Sequence, residues 1–259
     1  MLNLLALQAW VPDLAIQQYW NAPGWSISSE MFFYLCFPVL LRWRRLDGTR
    51  RGFLALWLGM ALVLALALGC ALLLARHASA QELARLGGWL AYTVRCPLLG
   101  LYCFATGIHL ARAARRQDVP APGRGAMVLA TLLVVAAGWA VTRQKPLHAV
   151  GFYVEISAIY LVYTPYFYLL IRYLLGPARP LSRVLARPAM VLLGDASYAL
   201  YLLHWLPLCL LLSGPPAWRA MPLVAPLTVL GLIGTSVLVY RLFEDPLRRR
   251  IRRLAGEGG

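Results

Sequence analysis

An acid inside an apolar stretch is exceptional, because no water is there to solvate its charge. Glu30 lies in Trp25-Ser26-Ile27-Ser28-Ser29-Glu30-Met31-Phe32-Phe33-Tyr34. An ionisable group at the centre of a bilayer costs about 2.5–3.5 kcal/mol or more, so such groups default to function. Asn21, Pro23 and Gly24 mark a turn, and the pattern predicts a helix that starts near Trp25 or Ser26. Ser26, Glu30 and Tyr34 then recur at i, i+4 and i+8 on one face. A carboxylate aligned with two hydroxyls could orient a polar substrate or hold a catalytic base. The alternative is an acid near the helix start that favours the helix dipole and fills a packing role.

A second polar pattern runs through Leu193-Gly194-Asp195-Ala196-Ser197-Tyr198-Ala199-Leu200-Tyr201-Leu202-Leu203-His204-Trp205. Asp195 stands where an N-cap is expected. Ser197, Tyr201 and His204 fall at i, i+4 and i+7, a polar stripe on an otherwise apolar helix. His204 is either a general base or a histidine bonded between helices. Tyr240-Arg241-Leu242-Phe243-Glu244-Asp245-Pro246 is expected to close the last helix, with Glu244 pairing to nearby arginines as a structural lock. Glu155 falls near the outer end of its helix, and His77 and His148 fall in outer loops. His109 lies near the inner end of a short helix with no metal set around it. The five cysteines, Cys36, Cys70, Cys96, Cys103 and Cys209, form no CxxC pair and read as small apolar packing residues, so no metal site is expected.

The elements that carry these residues follow from composition. Of the 259 residues, 61% are apolar and 14% charged, where an ordinary soluble domain has about 45–50% and about 25%. The chain therefore reads as an integral membrane protein, and disorder and a secreted disulfide scaffold are excluded. The +15 net charge does not indicate nucleic acid, because the arginines sit in short clusters between apolar runs and not on one face of a soluble domain. The runs Phe53–Ala75, Gly125–Thr142, Val150–Ile171, Ala196–Trp218 and Met221–Tyr240 are of spanning length. Ser26–Leu41 and Pro97–Ala111 are weaker and leave the count between five and seven.

The basic residues resolve the count. With seven spans, Arg42–Arg51, Arg112–Arg124, Arg172–Arg187 and Arg241–Arg253 all fall on one side. The sparser set, Arg76, Arg85, Arg95, Arg143, Lys145 and Arg219, falls on the other. Positive residues stay cytoplasmic, which puts the N-terminus outside and the C-terminus inside. The expected fold is all-α: one polytopic membrane helix bundle over residues 1–259 with seven transmembrane helices. Lys145, the sole lysine, falls in an outer loop, which argues against a retinal-binding seven-helix protein. Met1–Trp10 lacks the basic start of a signal peptide.

Trp25-Ser26-Ile27-Ser28-Ser29-Glu30-Met31-Phe32-Phe33-Tyr34 followed by Phe37-Pro38 resembles the W-S-x-S-x-E-x-F-F-Y…F-P signature of the acyltransferase-3 family. Pro97–Gly107 resembles its P…F..G helix. Leu193–Trp205 resembles its L-G-x-x-S-Y-x-L-Y-L-x-H-W segment, and Phe243-Glu244-Asp245-Pro246 resembles its F-E-x-P-x-R close. The resemblance implies a bacterial inner-membrane enzyme that O-acylates surface carbohydrates and related acceptors. It also implies about ten spans, so this chain is expected to start after the first three and to lack the histidine proposed as catalytic in the family.

The resemblance carries Trp25, Ser26, Ser28 and Glu30 over as acceptor-site or active-site residues, and Ser197, Tyr198 and His204 as a recurrent segment. The expected site is therefore Glu30 as the catalytic group, with Trp25, Ser26, Ser28, Tyr34, Ser197, Tyr198 and His204 binding substrate. Acyl-CoA is the expected donor and a glycan or lipid-linked sugar hydroxyl the acceptor. No bound cofactor and no nucleic-acid partner are expected, and membrane lipid surrounds the chain. The competing reading is a non-catalytic membrane component or inactive remnant that assists polysaccharide export or assembly.

Overall fold

The computed structural model describes residues 2–17, 21–76, 79, 81–82, 85, 88–89, 92, 96–116, 121–143, 157–176, 179–215 and 221–255. Glu155, His77, His148, Lys145 and the start of the fifth apolar run lie outside the described residues. A 3-10 turn at Gln8–Trp10 and a single helical turn at Leu14–Gln17 precede α1 (Gly24–Arg42). Next come α2 (Arg50–Ala75), α3 (Pro97–Arg115) and α4 (Arg124–Arg143), then a π turn at Ile159–Tyr163 that leads into α5 (Thr164–Leu174). The remainder is α6 (Pro180–Leu185), α7 (Pro188–Asp195), α8 (Ser197–Leu203), α9 (Trp205–Ser213) and α10 (Val224–Val239). A second π turn at Tyr240–Glu244 joins α10 to α11 (Asp245–Leu254).

All regular structure among the described residues is helical, and helix is present in each of the seven apolar runs. Among those residues, three stretches are long and apolar enough to cross a membrane: Gly24–Arg42, Arg50–Cys70 and Val224–Leu254. The α7 and α8–α9 pair, bent by 42°, makes a fourth if it is one crossing. Leu58, Leu62 and Leu66 line one face of α2 and are each more than half exposed (57%, 60% and 59%). An apolar face left uncovered in this way suits hydrocarbon and not water.

The chain divides into two compact units, Met1–Gln17 with Trp25–Arg179, and Gln18–Gly24 with Pro180–Gly259. In the first, Met60, Leu64, Leu99, Tyr102 and Tyr160 make one core between α2, α3 and the first π turn. Leu40, Leu46, Ala105 and Ile108 make another where α1 ends against α3. Pro165 has no N–H, so the Leu161 carbonyl one turn back lacks its helical donor. The Trp57 indole of α2 fills that vacancy, donating to Leu161 O at 3.0 Å. The Thr164 hydroxyl donates to Ile159 O at 2.9 Å, and the wider π winding absorbs the remaining mismatch.

The α1–α2 connection is a tight loop. Asp47 Oδ1 accepts from the Thr49 backbone N–H at 2.9 Å and from its hydroxyl at 2.8 Å, and Thr49 Oγ1 caps α2 by accepting from Gly52 N. Gly48 has φ of +79°, and a Cβ there would lie 2.6 Å from the Ala113 backbone nitrogen of α3. Only glycine meets both conditions.

The second unit departs from three expectations. The helix expected to begin at Ala196 is preceded by α7, so Asp195 ends one helix and does not cap the next; the N-cap of α8 is Ala196, with no side-chain cap. Asp195 Oδ2 accepts from the hydroxyl of Tyr240 instead, at 3.1 Å. The last helix does not close at Pro246, because the π turn carries the winding past it and proline sits in the first turn of α11, where a missing N–H costs nothing. The lock assigned to Glu244 is made by Asp245, which pairs with Arg248 at 3.3 Å and Arg249 at 2.7 Å. Glu244 ends the π turn and forms no ion pair among the described residues, although it keeps i,i+4 spacing to Arg248. Arg248 also donates to the Tyr240 hydroxyl at 2.9 Å, which links Asp195, Tyr240, Arg248 and Asp245 in one chain.

Gly48→Val forces a β-branched residue into the left-handed region and a side chain into the α3 backbone. It is expected to destabilise the first unit by about 2 kcal/mol or more, read as a fall in the detergent-solubilised melting temperature. An unchanged transition would contradict the close approach of this loop to Ala113.

Candidate active site

The N-terminal half of α1 sits against the segment before it. Ser28 is fully buried, and its Oγ accepts from the Ala9 backbone N–H at 3.4 Å. Trp10 meets Phe32 edge-on at 4.9 Å, and Tyr92 donates from its hydroxyl to Trp10 O at 3.1 Å. Ser29 donates to Trp25 O within the helix. Trp25, Ser26 and Glu30 are half-buried on this helix, and Tyr34 is exposed.

Glu30 differs from its neighbours. Its carboxylate forms no hydrogen bond and no ion pair among the described residues. A half-buried carboxylate without a partner retains all its acceptor capacity for an incoming hydroxyl. The hydroxyl of Ser28, by contrast, is turned to Ala9 and holds the N-terminal segment on α1.

The second constellation belongs to the other unit. Ser197 and Tyr198 are exposed on α8, and Tyr201 OH approaches Pro23 O at 3.5 Å. The helix breaks at His204, so the polar stripe ends there. His204 Nδ1 lies 2.6 Å from Tyr201 O. A carbonyl can only accept, so Nδ1 carries a proton, and in the neutral ring Nε2 would be the acceptor. At the break, the Asn21 amide donates to Leu202 O at 2.8 Å.

A third polar group was not visible from spacing. His109 is fully buried on α3, with Nε2 at 3.1 Å from Thr49 O and Nδ1 at 3.1 Å from Tyr168 OH. The carbonyl fixes the proton on Nε2, which makes Nδ1 the acceptor of the Tyr168 hydroxyl. Phe53 stacks on Tyr168 at 4.2 Å, and Arg172, one turn further along α5, is buried beside that hydroxyl. One turn from His109, Arg112 donates to Leu41 O, to Trp43 O at 3.3 Å and to Leu46 O at 2.7 Å, capping the carbonyls at the end of α1. Both ring nitrogens of His109 are engaged and the ring is closed off. It ties α3, α5 and the α1–α2 loop together and is not placed to take a proton from a substrate. Its partners come from positions 49 and 168, separated by whole helices, so no local motif announces them. Among the described residues no three His, Cys, Asp or Glu side chains gather as a metal set.

The acyltransferase-domain family model, the acyltransferase-3 type, matches residues 2–241. The chain belongs to the acyltransferase-3 family. The segments at Trp25–Tyr34, Pro97–Gly107 and Leu193–Trp205 all lie within the matched residues. Phe243–Pro246 lies just beyond them. The acyltransferase MdmB of Streptomyces mycarofaciens is 28% identical over 208 residues, covering 79% of this chain and 49% of that protein. The chain thus spans about half the length of this curated relative. No solved structure matches.

Asp47, outside the spanning helices, carries a testable pH dependence. The backbone N–H and then the hydroxyl of Thr49 hold its carboxyl below the usual carboxylate range. Because the folded group is the stronger acid, its contribution to stability is complete at neutral pH and is lost as pH falls through the depressed folded value. Asp47→Asn is expected to melt lower than the parent protein at neutral pH, with the gap closing in acid. A gap that persists unchanged below the carboxylate range would argue against the Thr49 contacts as its cause.

Proposed function

We propose that this chain acts in an inner-membrane O-acyltransferase that moves an acyl group, acetyl in this reading, from acyl-CoA to a hydroxyl of a cell-surface glycan or lipid-linked sugar. The chain crosses the membrane seven times, with its N-terminal end outside and its C-terminal end cytoplasmic. The observation that carries the proposal is the half-buried carboxylate of Glu30, without a partner among the described residues, in a segment matched by an acyltransferase family.

Glu30 accepts a hydrogen bond from the acceptor hydroxyl, and either it or a base that it positions removes the proton as the oxygen attacks the thioester carbonyl carbon. The new C–O ester bond forms, the C–S bond breaks, and coenzyme A leaves as a thiolate that takes up a proton. Ser26 and Tyr34 flank the carboxylate along α1 and supply hydroxyls to a polyhydroxyl acceptor, while the Trp25 ring offers a flat apolar surface to a sugar face. On the other unit, Ser197, Tyr198 and His204 present a polar surface on which His204 Nε2 is available to a substrate hydroxyl.

Membranes that hold the chain are supplied with radiolabelled acetyl-CoA and with surface glycan or lipid-linked sugar as acceptor. Glu30→Gln is expected to lower label transfer about 100-fold or more, the scale of a lost acid–base group, with membrane insertion and melting unchanged. Undiminished transfer by this variant, or none by the parent chain, would remove the support for the enzymatic reading. A protease added outside intact cells is expected to spare a tag at Gly259, and digestion of that tag would reverse the orientation.

A further inference from the structure

The α1–α2 loop and the first turn of α2 bring Arg44, Arg45, Arg50 and Arg51 to the lining of one recess of about 680 Å3. Its acid, Asp47, already accepts both hydrogen bonds from Thr49. Among the described residues the four guanidiniums form no ion pair, so the recess holds a strong excess of positive charge. Arg45, Gly52 and Ala55 also line a second cavity of about 400 Å3 that runs between α2 and α3 past Gly59 and Val63 to Leu98. Val63 and Leu98 are exposed, so this groove opens sideways, and its walls are apolar apart from Arg45 and the polar tips of Trp43 and Tyr102.

Membrane topology accounts for arginines at this end of the helices. It does not require them to converge on the mouth of an apolar groove. We propose that the two cavities together bind an anionic phospholipid, with its phosphate on Arg44, Arg45, Arg50 and Arg51 and one acyl chain along the groove between α2 and α3. Guanidinium is suited to a phosphate, which it can engage through two parallel N–H donors. Basic recesses between spanning helices on the cytoplasmic side are the places where anionic lipid headgroups are held. A free phosphate would leave the apolar groove unused, whereas a lipid uses both parts at once. The site rests on the membrane reading of the chain and is independent of Glu30 and of acyl transfer.

Trp43 lines the groove and serves as a reporter, isolated by the difference in fluorescence between the parent chain and Trp43→Phe. The full chain is reconstituted in bilayers containing phosphatidylglycerol or phosphatidylcholine with brominated acyl chains. Brominated phosphatidylglycerol is expected to quench Trp43 at a mole fraction about ten-fold lower than brominated phosphatidylcholine does. That preference is expected to vanish in the Arg44→Gln, Arg45→Gln double variant, whose side chains are exposed. Gly59→Leu tests the groove separately, because a Cβ there meets no atom within 4 Å and the longer side chain can occupy the groove without displacing a neighbour. It is expected to weaken quenching by both lipids with the melting temperature kept. Equal quenching by the two lipids, or a preference that survives loss of both arginines, would overturn the proposal. So would displacement of phosphatidylglycerol by coenzyme A, which would assign the recess to a soluble phosphate carrier.

Discussion

A backbone carbonyl without a donor has no water to turn to inside hydrocarbon, and much of this structure answers that constraint. Proline at position 165 strips Leu161 of its helical partner, and the Trp57 indole supplies one from a different helix. At the end of α1, in the loop beyond the apolar run, the Arg112 guanidinium donates to the carbonyls of Leu41, Trp43 and Leu46, and Trp43 O also accepts from Leu46 N at 3.1 Å. Where α8 breaks, the Asn21 amide meets Leu202. Each is a specific contact between elements far apart in the chain.

The same constraint explains why His109 and Glu30 have opposite characters. His109 is enclosed, and each of its nitrogens finds a protein partner, with the Thr49 carbonyl deciding which one carries the proton. A buried ring satisfied on both sides fixes the position of three elements and has no valence left for chemistry. Glu30 sits on a helix where Ser28 meets the Ala9 N–H and Ser29 bonds its own backbone, and its carboxylate has no partner among the described residues.

Both π turns show how proline acts beyond its own position. Each ends one residue before an X-Pro pair, Thr164-Pro165 and Asp245-Pro246. In each the winding opens to a five-residue spacing, so the chain continues as helix where an ordinary α turn would stop or kink. After the second turn Asp245 pairs with Arg248 and Arg249 at ordinary i,i+3 and i,i+4 helical spacing, and Glu244 does not.

The sequence alone determined the helical class, the membrane character and the family, because these rest on composition, run length and short contiguous motifs. Where described, the apolar runs are helical, and three or up to four stretches are long and apolar enough to span, a property that length and hydropathy report directly. Glu30, Ser26 and Tyr34 were legible as one face because helical periodicity is local. What only the tertiary structure decided is which polar side chains are already engaged. Ser28 against Ala9, His109 between Thr49 and Tyr168, and Arg112 on the end of α1 all join residues separated by at least one turn or helix. The convergence of Arg44, Arg45, Arg50 and Arg51 on one recess belongs to the same class. Hydrogen bonds depend on distance and direction in space, and sequence spacing encodes these only within a single unbroken helix.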